Sequence, residues 1–360
     1  MPVVERILMG PGPCNPYPEA TEALGRPMLG HLDPVFLGIL DETCARLRTV
    51  WSTENHLTLP LSGTGSAGME AAFVNLVHPG DAVVVGVNGL FGQRMLDVAG
   101  RAGAQVVPVE APWGQPLDPE ALLSAHPAPA LIAMVHAETS TGVRNDVAAV
   151  AAGKGDALLL ADCVTSLGGI PVDIDGWGVD VAYSCSQKCL GVAPGLSPFT
   201  LGPRAWDRRV IKPQSWYLDL GMIDEYATAG AVRKYHHTAP VAMLTSLHAG
   251  LGALLEEGLE SSWARHRACG QMLQDGLVAL GLELAAAEGH RLPELTTVRV
   301  PEGVEDAKVR QILLERYGIE VGSGAGQWAG QVWRIGCMGH TARERNVVLL
   351  LQALAEILGR

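Results

Sequence analysis

Five lysines stand in the 360-residue chain, and Lys188 is the one placed where an amine could do chemistry. It closes the apolar, strand-like run Asp180-Val-Ala-Tyr-Ser-Cys-Ser-Gln-Lys188 and precedes the loop Cys189-Leu-Gly-Val-Ala-Pro-Gly195. A lysine that leaves a buried strand for a Gly/Pro-rich loop points its amine into a cleft, as a Schiff-base lysine requires. The alternative is a strand-end lysine whose stem follows apolar surface to water. The other four have plainer settings: Lys154 in the turn Gly153-Lys-Gly-Asp156, Lys212 before Pro213, and Lys308 on a polar helix face. Lys234 lies in the basic segment Arg233-Lys-Tyr-His-His-Thr238, which reads as an anion-contacting loop.

Upstream, Asp162 follows the strand-like Ala157-Leu-Leu-Leu-Ala161 and opens the small-residue loop Cys163-Val-Thr-Ser-Leu-Gly-Gly169. A carboxylate at the end of a hydrophobic strand is costly unless it meets a cation or several donors. The protonated ring nitrogen of pyridoxal phosphate (PLP) is such a cation, and an aspartate partner keeps that ring an electron sink. The aspartate could instead cap a helix. A third element, Ser62-Gly-Thr-Gly-Ser-Ala-Gly68, lies between strand-like Leu57–Leu61 and helix-like Met69–Val77, where small residues and a helix N-terminus suit a phosphate. Gly63, Gly65 and Gly68 also spell the dinucleotide fingerprint. That motif wants an acidic residue at the end of the next strand, and Ala82-Val-Val-Val-Gly-Val-Asn-Gly89 ends without one. The loop therefore reads as a phosphate cup, with a nicotinamide site as the weaker alternative.

These residues carry a close resemblance to the class V, fold-type I PLP aminotransferases of the alanine-glyoxylate and serine-pyruvate group. Its landmarks run from Gly10-Pro-Gly-Pro13 through Ser62–Ser66, Gly92-Gln-Arg94, His136-Ala-Glu-Thr-Ser-Thr-Gly142, Asp162, Ser186-Gln-Lys188 and Tyr235-His-His-Thr238 to Val332-Trp-Arg-Ile-Gly336. The resemblance implies that Lys188 forms the Schiff base and Asp162 pairs with the pyridine nitrogen. It implies that Thr64, Gly65, Ser66 and Gln187 hold the phosphate, and that Val164 and Thr139 contact the cofactor, Thr139 where many relatives carry Ser. Phe91 takes the place of a stacking aromatic that is often Trp, which weakens stacking without abolishing it. Arg334 would hold the substrate carboxylate, beside Gly12. The residue type agrees, since a guanidinium is a planar fork for carboxylates, although strand alternation could also turn it to solvent. Tyr235 and Thr238 would reach the phosphate of a neighbouring subunit, making the active sites a shared property of a homodimer; without the resemblance this polar run reads as a solvated loop.

Around these residues, strand-like runs alternate with helices, which predicts a mostly parallel α/β sheet. Ligands in such sheets gather at the C-terminal strand edges, where Asp162 and Lys188 fall. The expected organisation is an arm over 1–20 near the active site, a large cofactor-binding domain over 21–258, and a smaller α+β domain over 259–360. Asp118-Pro-Glu120 is a helix start, Pro240–Leu259 reads as one long helix with Ser261 or Ser262 capping the next, and Thr341-Ala-Arg-Glu344 reads as a capping box for a closing helix over 342–358.

Composition narrows the partners. A formal charge of −12 and a pI near 5.4 argue against nucleic acid or an anionic membrane. Seven cysteines without regular spacing suggest reduced thiols, and no metal site is expected. The start, Met1-Pro-Val-Val-Glu-Arg-Ile-Leu8, lacks the pattern of a secretory leader, no apolar run approaches spanning length, and Leu358-Gly-Arg360 is not a peroxisomal address. The expectation is a cytoplasmic enzyme.

The expected reaction is ping-pong transamination: a small amino acid, alanine or serine, gives its amino group to the cofactor and a 2-oxo acid such as glyoxylate takes it away, with Lys188 moving the α-proton. Ureidoglycine is an alternative donor. Rival readings are a lyase of the cysteine desulfurase kind, a nicotinamide dehydrogenase and a non-catalytic subunit. The desulfurase needs a thiol on the loop before the carboxylate arginine, and residues Ile319–Val332 contain none.

Overall fold

The computed structural model describes residues 4–228 and 233–360. The first three residues, part of the expected arm and of the start read for a leader, lie outside them. Seven strands form the central sheet in the order Leu57–Ser62, Leu196–Leu201, Val181–Tyr183, Leu158–Asp162, Leu131–Val135, Ala82–Val87 and Gln105–Glu110. All run parallel except Leu196–Leu201, which is antiparallel to both neighbours. Leu131–Val135 and Leu158–Asp162 are buried throughout, which is why they read as unbroken apolar runs; the edge strand Gln105–Glu110 alternates between half-buried and exposed positions. The helix Gly65–Leu76 packs on the strands Val181–Tyr183 and Leu196–Leu201, and Leu90–Arg101 on Ala82–Val87. Both helices begin at the C-terminal ends of parallel strands, so their first turns face the same edge as Asp162.

Local signals decide several boundaries. Asp118 caps Pro119–Ser124 by accepting from Glu120 N at 3.0 Å. The long helix is Val241–Glu257; Gly258, at φ +84°, turns the chain before Leu259–Ala279 begins. Gly258 thus holds the position expected of Ser261 or Ser262, and Ser262 is buried, donating to Gly168 O at 2.9 Å. The capping box at Thr341 does not form. Arg343 precedes the helix Glu344–Leu358, while Thr341 Oγ1 accepts from Asn15 N at 2.9 Å, a long-range contact that takes the hydroxyl from the helix.

Among the described residues, two large apolar cores are joined by a small third cluster that includes Cys14, Cys189 and Met338. The larger draws on residues from Tyr17 to Leu254; the smaller gathers residues from Cys269 to Leu354, together with Met9. The smaller core lies against a three-stranded antiparallel sheet, ordered Leu295–Arg299, Val332–Gly336, Gly322–Ser323. The short strand Ile7–Leu8 pairs parallel with Ile319–Glu320. From there the arm crosses to the large core, where Cys14 N donates to Gln187 O at 3.0 Å and Tyr17 N to Gly191 O at 2.8 Å. This route brings Pro11 and Gly12 over Lys188. Among the described residues, no helix is long and apolar enough to cross a membrane.

Candidate active site

A cavity of about 310 Å³ opens where the carboxyl ends of the parallel strands meet the arm and the strand Val332–Gly336. Gly12, Thr64, Gly65, Ser66, Phe91, Thr139, Asp162, Val164, Gln187, Lys188 and Arg334 all line it. Of the residues to which the resemblance gives a cofactor or substrate role, Tyr235 and Thr238 lie elsewhere.

Lys188 stands on a turn rather than on a strand. The strand ends at Tyr183; Ser184 N and Ser186 N continue pairing with Pro198 O and Leu196 O at 2.8 and 3.0 Å, and the chain then turns, with Gly191 N donating to Lys188 O at 2.9 Å. The residue is 7% exposed, which excludes the snorkelling reading. Its Nζ donates to Pro11 O. Burial pushes the amine below the usual lysine range, and the Arg334 guanidinium adds to that against a counter-pull from neighbouring thiols. Gly12 is required here, because at φ +99° a side-chain Cβ would sit 2.7 Å from Lys188 Cδ. The other lysine with a buried side chain, Lys154, is paired with Asp180.

Asp162 ends its strand in register with Tyr183 on the next. Burial raises its carboxyl to about 6, opposed by the Tyr183 hydroxyl at 2.7 Å and Val164 N at 2.8 Å. No α-helix starts at Asp162; the next is Ile174–Trp177, so the helix-cap reading fails. Among the described residues the carboxylate accepts two hydrogen bonds and forms no ion pair, a site that favours an incoming positive charge.

At the other end of the cavity, Thr64 precedes the helix Gly65–Leu76 without any side-chain cap bond. The amides of Gly65 and Ser66 are therefore free to face an anion, while Ala67 N donates to Thr64 O at 2.7 Å. Gly65 lets the turn approach closely: a Cβ there would lie 2.8 Å from Val164 Cγ2. Gln187 adds a buried Oε1 that has no partner among the described residues. The dinucleotide alternative fails on topology. A nucleotide-binding βαβ unit needs neighbouring parallel strands, whereas Leu57–Ser62 is separated from Ala82–Val87 by four strands. Asn88, at the position that would need an acid, is buried and bonded to Asn145 and Gln115.

Arg334 points into the cavity despite its strand context. Its Nε donates to Ser323 O at 2.7 Å, and among the described residues no carboxylate pairs with it within ion-pair distance. Cys337, the nearest thiol in sequence, is fully buried and pushed to a high pKa by burial, far from a reactive thiolate.

The family model described as aminotransferase class-V matches residues 15–338. The chain belongs to the class-V aminotransferase family. The alanine-glyoxylate aminotransferase of Callithrix jacchus is 42% identical over 363 residues, covering 98% of this chain and 87% of that protein. A crystal structure of the alanine-glyoxylate aminotransferase from Nostoc sp. superimposes with a TM-score of 0.95 at 46% identity, covering 99% and 96% of the two chains. The ureidoglycine-glyoxylate aminotransferase of Bacillus subtilis gives 0.96 at 36% identity, covering 100% and 94%.

Three further residues of this aminotransferase shape the cavity; Glu138 and Arg94 fall within landmark segments of the sequence but have no role assigned there, and Tyr183 carries no signal at all. Tyr183 holds Asp162, a contact visible only once the strand register is known. Glu138, fully buried, accepts from Phe91 N, Gly92 N, Ser140 N and the Ser140 hydroxyl at 2.6 to 3.3 Å, and so fixes the turn that carries Phe91. Arg94 donates to Ser66 Oγ at 3.2 Å and lies 4.8 Å from the centroid of the Phe91 ring. Outside the cavity, Tyr235 is 57% exposed and its hydroxyl shares a 3.2 Å bond with Thr238. Within the same segment, the Lys234 ammonium meets Glu225 at 2.9 Å with both side chains exposed, and Arg233 pairs with Asp41.

Proposed function

We propose that this aminotransferase binds pyridoxal phosphate at Lys188 and moves the amino group of alanine or serine to glyoxylate. The observation that carries the reading is the shared cavity in which an unpaired Arg334 faces a buried, weakly basic Lys188 and an Asp162 lacking a cation. The residues fit the cofactor: the uncapped turn at Thr64–Ser66 suits a phosphate, Gln187 could add its side-chain NH2 as a donor there, and Asp162 suits a pyridinium. When bound, the cofactor supplies an electron sink for the broken C–H bond. Arg334 takes the substrate carboxylate as a fork, which turns the α-carbon toward Lys188. With its pKa depressed, Nζ is a competent base for the α-proton, which it holds out of water. Asp162, flanked by Tyr183, stays ionised opposite the ring nitrogen. A cavity of about 310 Å³ that takes ring, phosphate and substrate together favours a donor with few side-chain atoms. Ureidoglycine remains the alternative donor, supported by the Bacillus relative.

Steady-state assays with paired donors and acceptors test this. L-Alanine or L-serine with glyoxylate should give the highest kcat/KM, and a preference for dicarboxylic donors would overturn the reading. Replacing Arg334 by Ala should raise KM for every amino acid by about 10- to 100-fold, the size of a lost charged hydrogen-bonded pair, with the cofactor absorption unchanged. An unaltered KM would remove Arg334 from substrate binding.

We also propose a homodimer with shared active sites. Its support is the exposed Tyr235–Thr238 pair, polar side chains held together at the surface with no role in their own cavity. Lys188→Ala subunits mixed with Tyr235→Phe/Thr238→Val subunits should recover part of the activity, because one site of each mixed dimer then carries neither defect. Failure to recover after demonstrated subunit exchange would contradict sharing. A cytoplasmic location is part of the same proposal, supported by seven buried cysteines without disulfides.

A further inference from the structure

Away from the catalytic cavity, two depressions meet at the junction of the large and small cores. One, of about 330 Å³, is lined by Arg144, Arg267, Arg291 and Trp263; the other, of about 250 Å³, by His136, Arg144 and His290. Arg144, Ile170 and Pro171 line both, so the two form one groove. Its walls come from four parts of the fold: the segment after the strand Leu131–Val135, the loop after Asp162 that carries Ile170 and Pro171, the helix Leu259–Ala279, and the loop leading into Leu295–Arg299.

The charge of the groove runs against that of the chain. In a protein carrying −12 overall, three arginines converge here, and among the described residues none of them makes an ion pair. The only acidic residue of the lining, Asp146, is engaged in capping the helix Val147–Gly153, where it accepts from Ala149 N at 3.0 Å. The three guanidiniums outnumber this one carboxylate, which keeps its charge while it caps the helix, so the lining is net positive and an entering anion is favoured. Two lining side chains carry buried polar atoms without a partner among the described residues: Trp263 Nε1, a donor, and His136 Nδ1, which donates only in the tautomer that protonates it.

We propose that this groove binds a small phosphorylated molecule bearing at least two negative charges, at a site separate from the amino-transfer cavity. Three guanidinium forks offer more donors than one carboxylate can accept, and their planar pairs match the several oxygens of a phosphate or diphosphate. Trp263 supplies a flat apolar wall for the body of such a ligand. The position also gives it leverage: Arg144 belongs to the large core's side of the groove and Arg267 to the helix that begins after Gly258, so an anion held by both ties the two parts together.

The test uses the full-length holoenzyme with its cofactor site filled, titrated with inorganic pyrophosphate and, separately, with citrate, followed by calorimetry. Saturable pyrophosphate binding is expected, falling by about tenfold or more in each of Arg267→Gln and Arg291→Gln, the scale of one lost Arg–phosphate contact. Arg267→Lys should keep part of the affinity. Transamination in the absence of pyrophosphate should be unchanged in all three variants, because none of these side chains lines the catalytic cavity. No saturable binding, or binding untouched by the arginine changes, would overturn the site. Citrate binding as tightly as pyrophosphate would overturn the assignment to phosphate chemistry.

Discussion

Lys188→Ala is expected to abolish transamination, with a loss of at least about 10⁴-fold that reflects removal of both the covalent anchor and the proton-transferring base. The fold should survive, because the side chain leaves only a short stem against Gly12 and one hydrogen bond to Pro11 O. Circular dichroism and the unfolding midpoint should therefore stay near those of the parent protein. Borohydride reduction of the parent, followed by peptide mapping, should find the pyridoxyl group on Lys188. Label on any other lysine would reassign the site, and Lys154 is a strong control because its side chain is equally buried yet neutralised by Asp180.

Asp162→Asn should lower kcat by about 10²- to 10³-fold, the range seen when a preorganised electrostatic contact is removed from a dry site, while weakening cofactor binding much less. The phosphate cup at Thr64–Ser66 is untouched by the change. A pH signature separates this role from a structural one. With its carboxyl raised to about 6 by burial, Asp162 is ionised above that pH and protonated below it, so a cation beside it is favoured at high pH and released as pH falls. Association of the cofactor with the apoprotein should weaken on acidification through pH 6 in the parent. The Asn variant should lack that limb. Near-parental turnover together with an unchanged pH dependence would leave Asp162 as a support for the Val164 turn.

Much of this site was legible in the sequence because its parts are local. The parallel strands are buried on both faces, so Leu131–Val135 and Leu158–Asp162 announce themselves as apolar runs, and a charged residue at the end of such a run stands out. The small-residue turn at Thr64–Ser66 precedes a helix with no capping side chain, which is again a local pattern. What escaped depends on distant partners. Tyr183 reaches Asp162 only because two strands align in one register. Glu138 serves Phe91, which lies on a different element, and nothing in its neighbourhood reports those four donors. The parallel pairing of Ile7–Leu8 with Ile319–Glu320 is too short to have a period. Thr341 satisfies the sequence rule for a capping box, yet Asn15 from the arm claims its hydroxyl. Gly258 was read through as part of a helix, although only its left-handed backbone lets the chain turn between two helices.

The resemblance supplied what spacing alone could not. Strand alternation left the direction of Arg334 open, and its placement in the cavity follows from the antiparallel sheet that aligns it with Gly322 and Thr297. Tyr235 and Thr238 show the opposite case, since within one subunit they form no part of the cavity and their assigned role depends on a second copy.

The most direct test of the central claim is a single half-reaction. Cofactor-loaded protein mixed with L-alanine and no acceptor should release one equivalent of pyruvate per subunit and stop, and later addition of glyoxylate should release one equivalent of glycine and restore the original absorption. Pyruvate formation that continues without an acceptor, or none at all with either alanine or serine, would contradict the account.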